Sequence, residues 1–330
     1  MPDIQVLLPF GLPPAEFAPD LLRALKAPAL ATLLARAKML PARECDPFAR
    51  ALPHEAWLAE KFGTAVTDNS PASAAGRMQA LQLQPKNGHW FVLQPIHIHI
   101  ARDHLVLTDR RRTAITETES RALFETAQPL FRQAGKDVLY GDAGTWFLRA
   151  DDWRGLQTAT PDAACGHNID IWMPQGAGER EWRKLQNEVQ MEWHEHAVNA
   201  ERATRRLPPV NSLWLWGGSD AEATVSTDIP AYANAHVNLT ALLDAAPDTE
   251  LLLIDLLTEA ALAEDWGSWL TAMETADANW FAPLLGAMQG GRLSRVTLIV
   301  GHGTQLRGFV ANKLSLLKFW RQPSLKRLLP

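Results

Sequence analysis

The stretch from Trp182 to Gly218 constrains the fold most. Trp182, Leu185, Val189 and Trp193 recur at three- and four-residue spacing, which lines one face of a helix. Pro208 and Pro209 cannot continue a helix, because proline lacks the N–H and clashes with the preceding turn. Leu213, Trp214, Leu215 and Trp216 then form a short apolar run that meets Gly217 and Gly218. That pattern predicts a buried strand ending in a tight turn. Trp214 and Trp216 fall on one side of such a strand, Leu213 and Leu215 on the other. Large groups on both sides predict a strand covered on both faces, as in the middle of a parallel sheet.

Strand and helix patterns alternate toward both ends of the chain. Ile4 to Leu8 reads as a short strand closed by Pro9 and Phe10. Leu21 to Lys38 has helical spacing, with Pro28 in a first turn or a break. Ala51 to Phe62 reads as a helix, and Thr67 to Ala75 as a loop. Trp90 to Gln94 and Ile96 to Leu107 read as a strand pair. Thr116 to Gln133 is a helix with Thr116 and Glu119 as a capping box. Val138 to Leu148 reads as a hairpin, Leu251 to Leu257 as a continuous strand, Trp280 to Met288 as a helix and Arg295 to Val300 as a strand.

The 330 residues, 47% of them hydrophobic, suffice for a large α/β core with a smaller insert. The net charge of −5 gives no electrostatic case for nucleic acid or an anionic membrane. Cys45 and Cys165 fit no metal or redox spacing, which points to free thiols in a reducing compartment. The first residues lack a signal-peptide pattern, and no apolar run reaches about 18 residues. A cytoplasmic location is therefore expected. Thirteen Trp against two Tyr read as core and interface packing rather than an aromatic ligand cage.

A resemblance sharpens this outline. Val198, Asn199 and Arg202, followed by Leu207-Pro208-Pro209-Val210-Asn211, a Trp/Leu strand and Gly217-Gly218, resemble a passage of the archaeal-type cofactor-independent phosphoglycerate mutases. In the same order, Leu7 to Gly11 resembles the family's "IPDG" strand end, and Lys26 to Arg36 its "TPNLDRLA" helix. Ala101-Arg102 and Asp109-Arg110-Arg111 are similar to its "RGNF" and "DRRAGR" segments, and Val300 to Thr304 to its "TGDHST". The texture around His97 to Leu107, Asn168 to Pro174 and Leu185 to Met191 resembles a bacterial group of RpfE-type regulatory proteins. The resemblance implies an alkaline-phosphatase-like α/β fold with a mainly parallel sheet flanked by helices and a smaller α+β insert. The implied divisions are a core N-terminal part at 1–88, an inserted region with the long connecting helix at 89–207, and a core C-terminal part at 208–330.

The family's chemistry needs a phosphorylated serine and two divalent cations held at strand ends. Phe10 stands where the resemblance places a metal-binding Asp, and a phenyl ring cannot ligate a cation. Leu52 to Ala59 contains no serine where the family has one. Thr258 and Leu262 replace a ligating Asp and His, and Gly301 replaces an Asp beside His302. The expectation is a catalytically degenerate phosphoglycerate-mutase-like protein that acts by binding, in a regulatory role. It would have no catalytic residues and no cofactor, and its partner would be a protein or a phosphorylated small molecule. A second reading is a metal-dependent phosphomutase or phosphatase with a rearranged manganese or zinc site, built from His97, His99, Asp103 and His302.

His97 and His99 alternate with isoleucines, so on a strand the two imidazoles share one face. They are remnant metal candidates with His302, or simply the polar face of a half-buried strand. His194 and His196, two apart on a helix, do not face each other and read as structural. Arg102, Arg110 and Arg111 are candidates for holding a phosphate or carboxylate through paired N–H donors, or else form a solvated basic turn. Gly217 and Gly218 offer a turn where backbone could approach an anion. Asn211 is a ligand candidate, or with Asn199 and Arg202 it satisfies backbone groups around the proline break.

Overall fold

The computed structural model describes residues 3–102, 104–223, 231–233, 239–240, 242 and 248–330. Its contacts divide into two compact units, Met1–Pro47 with Thr227–Pro330, and Phe48–Ser226. The boundaries fall at 47/48 and 226/227, whereas the sequence suggested 88/89 and 207/208. The difference has a physical origin. The helices Pro53–Phe62 and Ala74–Ala80 precede the first strand of the second unit, and the latter packs on that unit's sheet.

The first unit carries a mixed sheet. Strands Ala231–Ala233, Leu251–Leu253, Asp3–Leu8 and Arg295–His302 run parallel in that order. Gln305–Asn312 then pairs antiparallel with Arg295–His302, and the short strands Lys38–Met39 and Arg43–Glu44 pair antiparallel with it. The expected mainly parallel sheet is thus parallel on one side only. The strand beginning at Arg295 does not stop at Val300. It runs on to His302 and turns back at Gly303 and Thr304, with His302 paired to Gln305. Gly303 has φ +53°, a conformation open to glycine, so this is a tight hairpin. The run from Leu21 to Lys38 is two helices, Ala18–Ala24 and Pro28–Arg36, because Pro28 opens the second at its first position. The apolar run after Leu251 is a strand only to Leu253.

The second unit holds a four-stranded antiparallel sheet in the order Asp137–Asp142, Thr145–Arg149, His89–Ile96, Ser212–Asp220. Helices Glu117–Gln133 and Glu179–His194 cover one face, and Trp182, Leu185, Val189 and Trp193 meet Phe91, Leu93, Leu213 and Leu215 there. On the other face Trp90, Val92, Trp214 and Trp216 meet Ala74, Met78, Ala159 and Trp172. The Trp/Leu strand is therefore covered on both faces, but it lies at the end of an antiparallel sheet, not inside a parallel one. Burial on two faces does not distinguish the two, since helices and loops here cover both sides of the antiparallel sheet.

Gly217 and Gly218 do not end that strand either. Val92 pairs with Trp216 and Trp90 with Ser219, so two glycines oppose Phe91 alone. Gly217 has φ +68°, which makes this a bulge with glycine in the left-handed position. The segment read as one strand from Ile96 to Leu107 leaves the sheet after Ile96 and forms its own hairpin, Ile98–Ala101 with His104–Leu107. Eight tryptophans are almost wholly buried, which accounts for most of the unusual tryptophan content by packing. Cys45 and Cys165 are free thiols. Among the described residues, no helix is long and apolar enough to cross a membrane.

Candidate functional site

Two places collect the residue types that chemistry needs, one in each unit. In the first unit they are the carboxyl ends of the strands Asp3–Leu8 and Arg295–His302. Phe10 follows the first strand with φ +55° and is 5% exposed. Its carbonyl accepts a hydrogen bond from the Trp269 indole at 2.9 Å. Its ring meets the His302 imidazole edge to face, with centroids 5.8 Å apart. His302 Nδ1 is buried without a hydrogen-bond partner, and burial lowers the pKa of the ring. Thr258 is buried and its hydroxyl bonds to the Asp255 carboxylate. A Cβ added at Gly301 would lie 2.8 Å from Leu306 Cδ2, so an aspartate could enter only if Leu306 moved. These residues do not fit a two-cation site: Phe10 offers a phenyl ring, Thr258 a hydroxyl held by Asp255 and Gly301 no side chain, so of these four only His302 could ligate a cation. Among the described residues no group of three His, Cys, Asp or Glu is placed to hold a metal ion.

In the second unit the site is a cluster of ionisable side chains at two helix starts. Pro53 opens the helix Pro53–Phe62, and Glu55 in its first turn accepts from Leu52 N at 2.8 Å. Glu55 also accepts from Thr160 Oγ1 at 2.6 Å. Thr160 in turn caps the short helix Pro161–Ala164, which carries Asp162. Arg111 binds Asp162 with both terminal nitrogens, at 3.1 and 2.6 Å, and reaches Asp109 at 2.9 Å. Asp109 is itself the cap of the turn Arg110–Thr113, accepting from Arg111 N.

The electrostatics of the cluster are uneven. Burial, and then the Asp162 charge, push the Glu55 carboxyl up to about 7. Burial pushes the neighbouring His54 down to about 4, so it is neutral at physiological pH. Burial opposes ionisation of Asp162, yet the Arg111 hydrogen bonds and charge hold it below the usual carboxylate range. Burial, with the Asp109 and Asp162 charges, pushes the Cys165 thiol up to about 12, which makes it a poor nucleophile. Arg77 lies with its guanidinium carbon 4.9 Å over the Trp216 ring. Burial and the Arg110 charge lower its pKa. A proton-holding carboxyl thus lies in a cluster with several guanidinium groups, an arrangement able to receive an anion or exchange a proton with one.

The residues expected from sequence separate here. Arg110 and Arg111 join the cluster, but Arg111 is fully engaged by two aspartates. Arg102 is exposed beyond the end of the strand Ile98–Ala101, with φ +57°, and is not part of it. Asn211 is committed to backbone: Oδ1 accepts from Ile98 N and Nδ2 donates to Ile98 O, both at 2.8 Å. Its ligand role gives way to the structural one. Asn199 likewise spans Trp193 and Val210. Arg202 is fully buried, donating to Pro208 O, to Glu119 and to Thr113 O. The Gly217 N–H is taken by Ser70 Oγ at 2.9 Å.

His97 and His99 stack with centroids 5.9 Å apart, but their Nδ1 atoms face Pro209 O and Thr108 Oγ1. They gather no third ligand among the described residues, and Asp103 lies outside those residues. The sequence reading passed over His54, Glu55, Arg77 and Asp162. The available signal was an acidic residue shortly after a proline, in Pro53-His54-Glu55 and Pro161-Asp162. That pattern announces a helix start, but it does not say that the two starts meet.

No family model matches the chain. A probable 2,3-bisphosphoglycerate-independent phosphoglycerate mutase from Geobacter sulfurreducens is 26% identical over 140 residues, 41% of this chain. The match spans 34% of that relative's length. Among solved structures, the PH0037 protein from Pyrococcus horikoshii is similar with a TM-score of 0.51 at 10% identity, covering 94% of this chain and 87% of that one. A cofactor-independent phosphoglycerate mutase from Thermoplasma acidophilum gives a TM-score of 0.47 at 13% identity, over 99% and 94% of the two chains. The chain thus has a mixed α/β fold shared with the Pyrococcus protein, and a limited sequence similarity to a phosphoglycerate mutase.

Proposed function

We propose that this chain is a catalytically degenerate relative of the cofactor-independent phosphoglycerate mutases that acts by binding, in a regulatory role akin to that of the RpfE-type proteins. The observation that carries the reading is the packing of Phe10 against His302, next to a Gly301 whose added side chain would displace Leu306. Apolar groups occupy the strand ends where the mutase chemistry would place charged metal ligands. The similarity over 140 residues to a mutase supports the family side of the reading.

The ligand in this reading is a small phosphorylated acid, received in the second unit. Arg77 and Arg110 supply the charge, because Arg111 is already neutralised by Asp109 and Asp162. Glu55, holding its proton near neutral pH, can donate to a phosphate oxygen instead of repelling it.

Two measurements on one preparation test this. Conversion of 3-phosphoglycerate to 2-phosphoglycerate should be absent with manganese present, and turnover would end the reading. Millimolar 3-phosphoglycerate should raise the melting temperature. At about 100 Kd such binding adds about 2.7 kcal/mol, and the shift should vanish in an Arg77→Ala, Arg110→Ala variant. A shift that survives the double substitution would move the ligand elsewhere.

A further inference from the structure

The net charge of −5 averages over a steep asymmetry. From residue 278 to 330 the chain has eight Lys or Arg and no Asp or Glu. Within that segment the short helix Lys313–Leu316 and the turn after it present four large apolar side chains to solvent. Leu314 is 75% exposed, Leu317 63%, Phe319 78% and Trp320 65%. The Phe319 and Trp320 rings pack edge to face on each other, 5.4 Å apart. Lys313 and Lys318 stand among them and make no ion pair among the described residues.

The segment is held firmly. Asn312 and Ser315 form a capping box at the helix start. Arg36 donates to Leu316 O at 3.0 Å, and Arg321 donates to Ala35 O at 3.3 Å. These bonds tie both ends of the turn to the helix Pro28–Arg36, so the apolar groups are displayed on a fixed frame.

We propose that residues 313–321 form a peripheral anchor for an anionic lipid surface. Four large apolar side chains exposed within seven residues mark an interaction site. Its composition, Leu, Phe and Trp interleaved with lysine, matches what lies in the headgroup region of a bilayer while cations meet anionic lipid. A second copy of this chain is a poor occupant, because twofold pairing would set Lys313 and Lys318 against their own images. The neighbouring groove of about 750 Å³ is lined by residues such as Leu22, Leu25 and Leu325, by none of these four. The four side chains project outward, which suits a fluid surface.

The test is co-sedimentation of the full chain with vesicles of equal parts phosphatidylserine and phosphatidylcholine, beside vesicles of phosphatidylcholine alone. The expected result is binding to the first and little to the second, weakening as salt rises. Phe319→Ser with Trp320→Ser should reduce binding about tenfold or more, the effect of about 1.4 kcal/mol, and so should Lys313→Glu with Lys318→Glu. Lys313, Phe319 and Trp320 are exposed and Lys318 is half-buried, so melting temperatures should stay unchanged and separate lost binding from lost folding. Equal binding to both vesicle types, binding untouched by either pair, or no binding overturns the proposal. So does preferential capture of a soluble peptide of alternating glutamate and leucine by the unsubstituted chain. The test does not involve 3-phosphoglycerate or Arg77, so its failure leaves the proposed function standing, and the reverse holds too.

Discussion

The strand ends of the first unit and the helix starts of the second hold potentially reactive side chains under opposite conditions. At the strand ends Phe10 packs edge to face on His302, and the imidazole is left with an unpartnered nitrogen. At the helix starts Glu55, Asp109 and Asp162 each have named donors, supplied by backbone, hydroxyl or guanidinium groups. The first region sets a phenyl ring and a glycine beside its one imidazole. The second has kept charges and satisfied most of them, at the cost of shifting two pKa values in opposite directions. A region with a family-like sequence can therefore be apolar in its packing, while a region without an obvious motif gathers several titratable groups.

The largest expected effect tests the filled strand end. Phe10→Asp restores the residue type that the resemblance places there. The left-handed backbone at this position tolerates Asp, so the cost should come from packing and burial. Losing a buried phenyl ring costs about 3–5 kcal/mol, and an unpaired buried charge adds to it. Chemical denaturation should show that loss, and manganese should not restore it. A stable variant that binds manganese tightly would erase the contrast between the two regions.

A somewhat smaller effect tests the polar cluster through pH. His54 has a folded pKa lowered to about 4, so between there and its unfolded value near 6.5 the unfolded chain binds the extra proton. Its contribution is present above about pH 6.5 and lost as pH falls toward 4. Glu55 has a folded pKa raised to about 7, so between about 4.5 and 7 the folded chain binds the extra proton. Its contribution is therefore present below about pH 4.5 and lost as pH rises toward 7. The two slopes oppose each other near pH 5–6. Glu55→Gln should leave stability rising with pH there, and His54→Gln should leave it falling, each by up to about 3 kcal/mol across the window. Urea melts at several pH values read both slopes, and flat profiles in both variants would remove the assigned electrostatics.

The smallest effect concerns Asn211. Asn211→Ala should cost about 1–3 kcal/mol, because the Ile98 N–H and C=O lose their partner. Hydrogen exchange at Ile98 should speed up, while any shift with 3-phosphoglycerate stays as it was. A lost ligand shift with an unchanged melt would return Asn211 to the binding residues.

Much of this chain was legible from residue order alone. The spacing of Trp182, Leu185, Val189 and Trp193 determined a buried helix face, because a 3.6-residue period admits one such face. Thr116 and Glu119 determined the start of the helix that follows them, through local hydrogen bonds. The two-sided burial of the Trp/Leu strand was equally plain, since alternation is a local property. Sheet direction was not local. Whether Ser212–Asp220 runs parallel or antiparallel to its neighbour depends on where His89–Ile96 returns, more than a hundred residues earlier. The bulge at Gly217 needed that partner too, because an extra residue exists only relative to an opposing strand. The cluster of Glu55, Arg77, Arg111 and Asp162 was decided by tertiary structure alone. Each residue is ordinary in its own segment, and only the folded chain brings the charges into shared low-dielectric surroundings where their protons are held differently.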